Sequence, residues 1–116
     1  MAFDFEKLDV YSKARGLRTK LFAIISDKHK IDKAILDQLR RAVVSVVLNI
    51  AEGSGKFSRA DKRNFFTTAR GSTYEVVAII DILFDDGIVS EKERVDLYAD
   101  LETISKMLLG LINSLR

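Results

Sequence analysis

The stretch LNIAEGSGKFSR, positions 48–59, contains the residue types that phosphate-binding loops use. It contains two glycines, serines and a lysine. A P-loop requires a glycine, four residues and then Gly-Lys followed by serine or threonine, so that backbone amides surround the phosphates and the hydroxyl binds magnesium. Here Gly55 and Lys56 are followed by Phe57, and no glycine lies five positions before Gly55. We therefore predict a join between two helices, in which Gly53 ends the first helix and Gly55 turns the chain.

The rest of the sequence offers no catalytic or metal-binding arrangement. It contains no cysteine, which excludes disulfides, thiolate nucleophiles and thiolate zinc sites. His29 is the single histidine, so neither a Ser-His-Asp triad nor a Glu-x-x-His di-iron site can be assembled, and we predict that it is a solvated loop residue. Residues 82–93 have the glycine and glutamate of a calcium loop, but apolar residues occupy the first two ligand positions. We therefore predict a protein that is not an enzyme and that has no metal and no cofactor.

Basic residues are concentrated in the first two thirds of the chain. The net charge is +2, yet residues 1–74 contain 15 lysines and arginines against 8 acidic residues, and residues 75–116 contain 4 against 9. The stretch KFSRADKR and the two phenylalanines that follow it combine side chains that contact phosphates with rings that stack on RNA bases. The alternative is a solvated basic face, because these phenylalanines fall on the apolar side of a predicted helix. The candidate nucleic-acid contacts are Lys56, Arg59, Lys62, Arg63, Arg18 and Lys20.

Apolar residues recur at three- and four-residue steps through four segments, a spacing that places them on one side of an α-helix. Asp32 and Ser58 can cap the second and third helices, and Ser90 with Glu93 forms a capping box for the fourth. Gly87 can adopt the left-handed conformation that ends a helix. The sequence therefore predicts an all-α protein, a single up-down-up-down four-helix bundle over residues 1–116. Its helices are predicted at residues 4–26, 32–53, 58–86 and 90–115.

The second predicted helix is apolar on nearly every side in the segment AVVSVVLNIA, and we interpret the additional face as a subunit contact. If the second and third helices are antiparallel about their turn, Glu52 faces Arg59, and the arginines of the second helix lie near an arginine and a glutamate of the third. Buried polar groups need hydrogen-bonding partners, so we predict a structural polar motif here. Its members are Asn49, Glu52, Gly53, Arg70, Gly71, Glu75, Arg40 and Arg41.

Two segments, FEKLDVYSKARGL and QLRRAVVSVVLNIAEGSGKFSRADKRNFFTTARGSTYE, resemble the four-helix-bundle family of 23S rRNA intervening-sequence proteins. The most specific parts are NIAEGSG, residues 49–55, and ARGSTYE, residues 69–75. Val47 stands where that family usually has proline, so the family's kink in the second helix is expected to be softened. The resemblance implies a ring-like homopentamer. It also implies a relation to the accessory variability determinant of diversity-generating retroelements, a basic pentamer that associates with a reverse transcriptase and nucleic acid.

The residues and the resemblance together favour a non-enzymatic, cytoplasmic homo-oligomer that binds RNA or a nucleic-acid-associated protein through a basic surface. The alternative is a protein–protein assembly scaffold, in which the basic half of one chain docks on the acidic half of a neighbour or on another acidic protein. The longest apolar segment, residues 42–51, is about half the length of a membrane span, and the N-terminal residues are too acidic for a secretory signal. We therefore expect no membrane partner.

Overall fold

The computed structural model describes residues 2–28 and 30–116, in which helices account for nearly all of the chain. No strand occurs in this part of the protein, so the prediction of an all-α protein with four helices is confirmed. The first helix, predicted from residue 4, instead begins at Asp9, because Leu8 is extended and separates it from a short 3-10 helix. The predicted solvated position of His29 lies outside the described residues. The elements are the 3-10 helix (Asp4–Lys7), α1 (Asp9–Ser26), α2 (Lys33–Ser54), α3 (Arg59–Asp85) and α4 (Glu91–Ser114).

Local hydrogen bonds determine where α2, α3 and α4 begin. The side chains of Asp32, Ser58 and Ser90 each accept a hydrogen bond from a backbone amide of the first helical turn, at 2.7, 3.0 and 3.1 Å. Glu93 in turn accepts from the Ser90 amide at 3.0 Å, which completes the predicted capping box. Gly87, just after α3, has a φ of 74°. These contacts satisfy amides that have no partner within the helix, so the predicted helix starts and the left-handed glycine are confirmed.

The four helices enclose one hydrophobic core. Because the connections are short, successive helices run antiparallel, and α4 returns to lie beside α1. Each helix presents a buried stripe, and the core includes residues from all four, among them Leu21, Leu39, Val76 and Leu97, each with 0% of its surface exposed. In the part of the chain that the structure describes, no helix has the length and apolar character needed to cross a membrane.

The apolar character of α2 on nearly every side has an explanation within one chain. α2 contacts α1, α3 and the 3-10 helix, so three elements cover it. Val44 and Val47 are half-buried, and Leu48 is the large apolar residue of α2 that stays exposed, at 54%. Most of the face that we interpreted as a subunit contact is therefore covered by the chain itself.

Gly53 has a role that differs from the predicted one. It does not end the helix, because α2 continues to Ser54, and Gly55 follows with a φ of −84°, an ordinary right-handed conformation. A Cβ atom at Gly53 would lie 2.9 Å from the Cβ of Phe65 and 2.9 Å from the ring of Phe66. The absence of a side chain at Gly53 therefore allows α2 and α3 to approach each other closely next to their turn.

Candidate nucleic-acid interface

The α2–α3 turn brings four of the predicted RNA contacts to one end of the bundle. These are Lys56 in the turn and Arg59, Lys62 and Arg63 at the start of α3, and we call the four residues the turn patch. Lys56 and Arg59 are exposed, whereas Lys62 and Arg63 are half-buried. Within residues 2–28 and 30–116, none of the four forms an ion pair with a carboxylate. The turn patch therefore keeps its positive charge.

Two members of the turn patch also bind the ends of helices. The ammonium group of Lys62 donates a hydrogen bond to the carbonyl of Ser54 at 2.8 Å, and the guanidinium of Arg63 donates to the carbonyl of Leu115. These carbonyls belong to the C-terminal ends of α2 and α4, where the helix dipole is negative. Lys62 and Arg63 therefore stabilise the fold in addition to any contact with a partner.

An exposed aromatic ring that is absent from the predicted contacts lies inside the turn patch. The side chain of Phe57 is 102% exposed, whereas Phe66 is 4% exposed and belongs to the core. Phe65 is half-buried, and the ammonium of Lys56 lies 4.9 Å from its ring centroid. The two phenylalanines considered for stacking on RNA, Phe65 and Phe66, thus pack within the bundle. This agrees with the alternative interpretation, in which they belong to the apolar side of a helix. The sequence does carry a signal for Phe57, because it precedes the cap residue Ser58 and so belongs to no helical stripe.

Lys20, predicted as an RNA contact, belongs to a set of ion pairs that join α1 and the link after it to α4. These pairs neutralise part of the uneven charge of the sequence, because the last helix returns beside the first and three of its carboxylates meet lysines of the basic half. Part of the attraction on which the scaffold alternative depends is therefore satisfied within one chain. The pairs are Lys13–Asp100 at 3.4 Å, Lys20–Asp96 at 2.7 Å, Lys20–Asp100 at 3.0 Å and Lys28–Glu93 at 3.1 Å.

These contacts shift the pKa values of three groups. Hydrogen bonds to Asp96 and then to Asp100 raise the pKa of Lys20 above its ordinary value of 10.5. Burial alone would raise the pKa of Asp100, but the hydrogen bonds and charges of two lysines outweigh it, and the pKa lies below 3.8. The pKa of Glu93 lies below 4.5, chiefly because it accepts a hydrogen bond from the backbone amide of Ser90. All three groups are thus held in their charged forms near neutral pH.

The Asp100→Asn variant is expected to lower the free energy of unfolding at pH 7 by about 0.5–1 kcal/mol, since partly exposed ion pairs contribute about 0.2–1 kcal/mol each. The pKa of Asp100 is lower in the folded than in the unfolded state. Its contribution to the free energy of unfolding is therefore present at a pH above the unfolded-state pKa, and it is lost as the pH falls through the folded-state pKa. Urea denaturation should therefore show a difference from wild type at pH 7 that shrinks as the pH falls below 3.8, the ordinary pKa of an aspartate.

The control for this prediction is Glu102→Gln. Glu102 is exposed, and its oxygen lies 3.8 Å from the Lys106 ammonium four residues later in α4, a pair that contributes little. A loss of stability in Asp100→Asn that is as large in acid as at pH 7 would show that the ion pairs are not its cause.

The predicted polar motif is only partly assembled. Asn49 donates hydrogen bonds to the carbonyl and hydroxyl of Ser45 at 2.8 and 3.0 Å, and that hydroxyl lies 2.8 Å from the hydroxyl of Ser72. Asn49 therefore has partners, through which α2 is linked to α3. Glu52 is exposed and forms no ion pair with Arg59 or any other described basic residue, so its predicted pairing is wrong.

The predicted contacts between charged residues of α2 and α3 are also wrong. Glu75 accepts a hydrogen bond from Gln38 at 2.9 Å, with no arginine involved. Arg70 donates to the hydroxyl of Tyr74 on its own helix at 2.9 Å, and its Nε atom is buried without a partner. Gly71 is exposed, and a Cβ atom there would meet nothing within 4 Å. The reason is that the turn between α2 and α3 is irregular over residues 55–58. Residues of the two helices that face each other therefore lie further from the turn than they would after a tight connection.

No ion pair of the described chain joins either arginine of α2 to α3. Arg41 is exposed, and the guanidinium carbon of Arg40 lies 6.0 Å from the ring centroid of Phe22 on α1. Arg18 lies over the same ring at 5.3 Å. Arg18, Phe22 and Arg40, together with Lys30 but without Arg41, line a groove of about 710 Å³ between α1 and α2, which we call the arginine groove. The structure thus brings together Arg18, predicted as an RNA contact, and Arg40, predicted as part of the polar motif.

The fold and these surfaces define a small antiparallel helical bundle with a basic end. In residues 2–28 and 30–116, no three His, Asp or Glu side chains converge to hold a metal ion. The family model of the 23S rRNA-intervening sequence protein matches residues 6–110, and the chain therefore belongs to this family. The family resemblance seen in the sequence is confirmed, whereas the relation to the accessory variability determinant stays a prediction.

A solved structure supports the fold. The chain is similar to a protein with unknown function from the S23 ribosomal protein family of Bacteroides thetaiotaomicron, with a TM-score of 0.81 and 22% sequence identity over 89% of this chain and 97% of that one. At this identity the similarity establishes the fold alone. A search of the curated proteins gives no match. The descriptions of the family and of the structural neighbour indicate no catalytic activity.

Proposed function

We propose that this protein is a non-enzymatic, cytoplasmic homo-oligomer that binds RNA, free or within a ribonucleoprotein, through the turn patch. The observation that carries the proposal is the complete exposure of Phe57 among four basic side chains that lack carboxylate partners in the described chain. Basic side chains contact phosphates, and an exposed aromatic ring stacks on an unpaired base. The reference to 23S rRNA in the family's description agrees with an RNA partner.

Apolar surface outside the core supports the homo-oligomer. Half of the side chains that line the groove between α3 and α4 are apolar or aromatic, and of these Tyr74, Tyr98 and Leu109 are 59%, 48% and 38% exposed. Contiguous exposed apolar surface is typical of contacts with another protein. A ring-like homopentamer, which the family resemblance implies, would present several turn patches to one RNA and strengthen weak contacts by avidity.

RNA binding can be tested by fluorescence anisotropy with labelled single-stranded and hairpin RNA at two salt concentrations. Affinity is expected to fall steeply with salt, because each phosphate contact releases counterions. The variant with both Lys56→Gln and Arg59→Gln should bind single-stranded RNA about tenfold more weakly at low salt, with the log–log salt slope reduced by about 1.4. These two residues are chosen because, unlike Lys62 and Arg63, they do not bind a helix end.

The matched control carries Lys92→Gln and Lys106→Gln, which remove the same charge from exposed positions of α4. It should keep the RNA affinity of the wild type within about twofold. Phe57→Ser is expected to weaken binding of single-stranded RNA without changing the salt slope, because it removes stacking alone. No measurable RNA affinity of the wild type at low salt would refute the function and leave the scaffold alternative. Light scattering tests the oligomer separately, and a monomer at micromolar concentration would contradict it.

A further inference from the structure

Helix α1 is flanked by two grooves of different electrostatic character. The groove between α1 and α4 is lined by three lysines and four acidic residues, several of which form ion pairs with one another. The arginine groove on the other side is lined by four basic residues, and no aspartate or glutamate of the described chain lines it. Charge is therefore balanced locally on one side of α1 and unbalanced on the other.

Three of the four basic residues of the arginine groove are unpaired. Lys28 forms an ion pair with Glu93, but Arg18, Lys30 and Arg40 have no carboxylate partner among residues 2–28 and 30–116. The two guanidinium groups lie about 6 Å or less from the centroid of one phenylalanine ring. The ring face attracts each cation, but it has no net charge to offset the repulsion between them. A bound anion would offset it.

The side chains of the groove favour a phosphodiester as that anion. Guanidinium groups donate paired hydrogen bonds that match the oxygens of a phosphate. The remaining lining is mostly apolar, with Ser26 as the one neutral polar side chain among the described residues, so the groove offers little with which to read base edges. Such a surface suits the nucleic-acid backbone, contacts to which position a strand without specifying its sequence.

We propose that the arginine groove is a second binding site for RNA backbone phosphates, in which Arg18 and Arg40 bind the phosphate oxygens and Lys30 adds a third positive charge. This inference rests on the proposed function, since it gives the same RNA a further contact. Arg40 and Ser54 are separated by fourteen residues of α2, or roughly 21 Å along the helix. A strand of about six stacked nucleotides, at roughly 3.4 Å each, spans this length of α2, which separates the groove from the start of the turn.

The test compares two double variants with equal changes of charge on the same two helices. One carries Arg18→Gln and Arg40→Gln, and its control carries Arg15→Gln and Arg41→Gln, which are exposed and do not line the groove. Arg15 also lies over an aromatic ring of α1, Tyr11, so the control variant loses one cation–π contact and the groove variant loses two. The probe is a labelled twelve-nucleotide oligouridylate at two salt concentrations, and circular dichroism checks that each variant is folded.

The groove variant is expected to bind the oligouridylate about tenfold more weakly at low salt, with a salt slope lower by about 1.4, and the control should stay within about twofold of wild type. If the double variant does not fold, the single variants Arg18→Gln and Arg40→Gln replace it, each with about half the change in slope. Equal affinities of groove variant and control would overturn the inference while leaving RNA binding by the turn patch intact. Absence of binding by the wild type would refute the proposed function itself.

Discussion

The Leu21→Ala variant is expected to lose about 2–5 kcal/mol of its free energy of unfolding, a large share of the 5–15 kcal/mol typical of a folded domain. Leu21 is 0% exposed and lies in the buried stripe of α1. Alanine would remove the buried methyl groups and leave a cavity beneath α1 that the surrounding helices fill only in part. Urea denaturation followed by circular dichroism measures the loss, since the chain contains no tryptophan for fluorescence.

The control for this variant is Leu48→Ala, the same chemical change at a residue that is 54% exposed. It should cost less than about 1 kcal/mol, because much of the Leu48 side chain is already in contact with water. A similar loss in both variants would mean that Leu48 is buried in solution, by a second copy of the chain or in another packing of α2. The comparison therefore also reports on the oligomer.

The Gly53→Ala variant is expected to lower the free energy of unfolding by about 1–3 kcal/mol, even though alanine is the better helix former. The added methyl group would overlap the Cβ of Phe65 and the ring of Phe66. One of these contacts is made by a Cβ atom, which moves only with its backbone, so the overlap is relieved only if α2 and α3 move apart. The melting temperature should fall by roughly 4 °C for each kcal/mol.

The Gly71→Ala variant, on the facing helix α3, is expected to be more stable than the wild type. A methyl group there meets nothing within 4 Å in the chain, so the higher helix propensity of alanine should raise stability by about 0.5–1 kcal/mol. Thermal melting of the two variants should thus shift in opposite directions. A stabilised Gly53→Ala variant would show that the close approach of the two helices is not required.

Features of the fold that depend only on residues close together in the sequence could be predicted. Caps such as Asp32 and Ser90 act within one turn of a helix, and the glycine with positive φ acts on its own backbone, so no knowledge of the tertiary structure is needed. The role of Gly53 could not be predicted in this way. It depends on which residues of α3 face it, and these are fixed only when the two helices pack.

The site was harder to predict because its residues meet across helices. Successive residues of an α-helix are about 100° apart around its axis, so a small error in the alignment of two helices changes which side chains face each other. For this reason Glu75 contacts Gln38 and no arginine. The pairing of Lys20 with α4 likewise follows from the return of the last helix beside the first, which the sequence of α1 alone does not contain.

The packing at Gly53 has a consequence for how the α2–α3 turn can meet a partner. The close contact with α3 fixes the chain before the turn, the Ser58 cap fixes it after the turn, and the Lys62 ammonium binds the end of α2 from the other side. The backbone that carries Phe57 is thus preorganised. A flexible loop loses conformational entropy when it binds, whereas this turn has lost most of that entropy on folding. A larger part of the free energy of each contact therefore contributes to affinity.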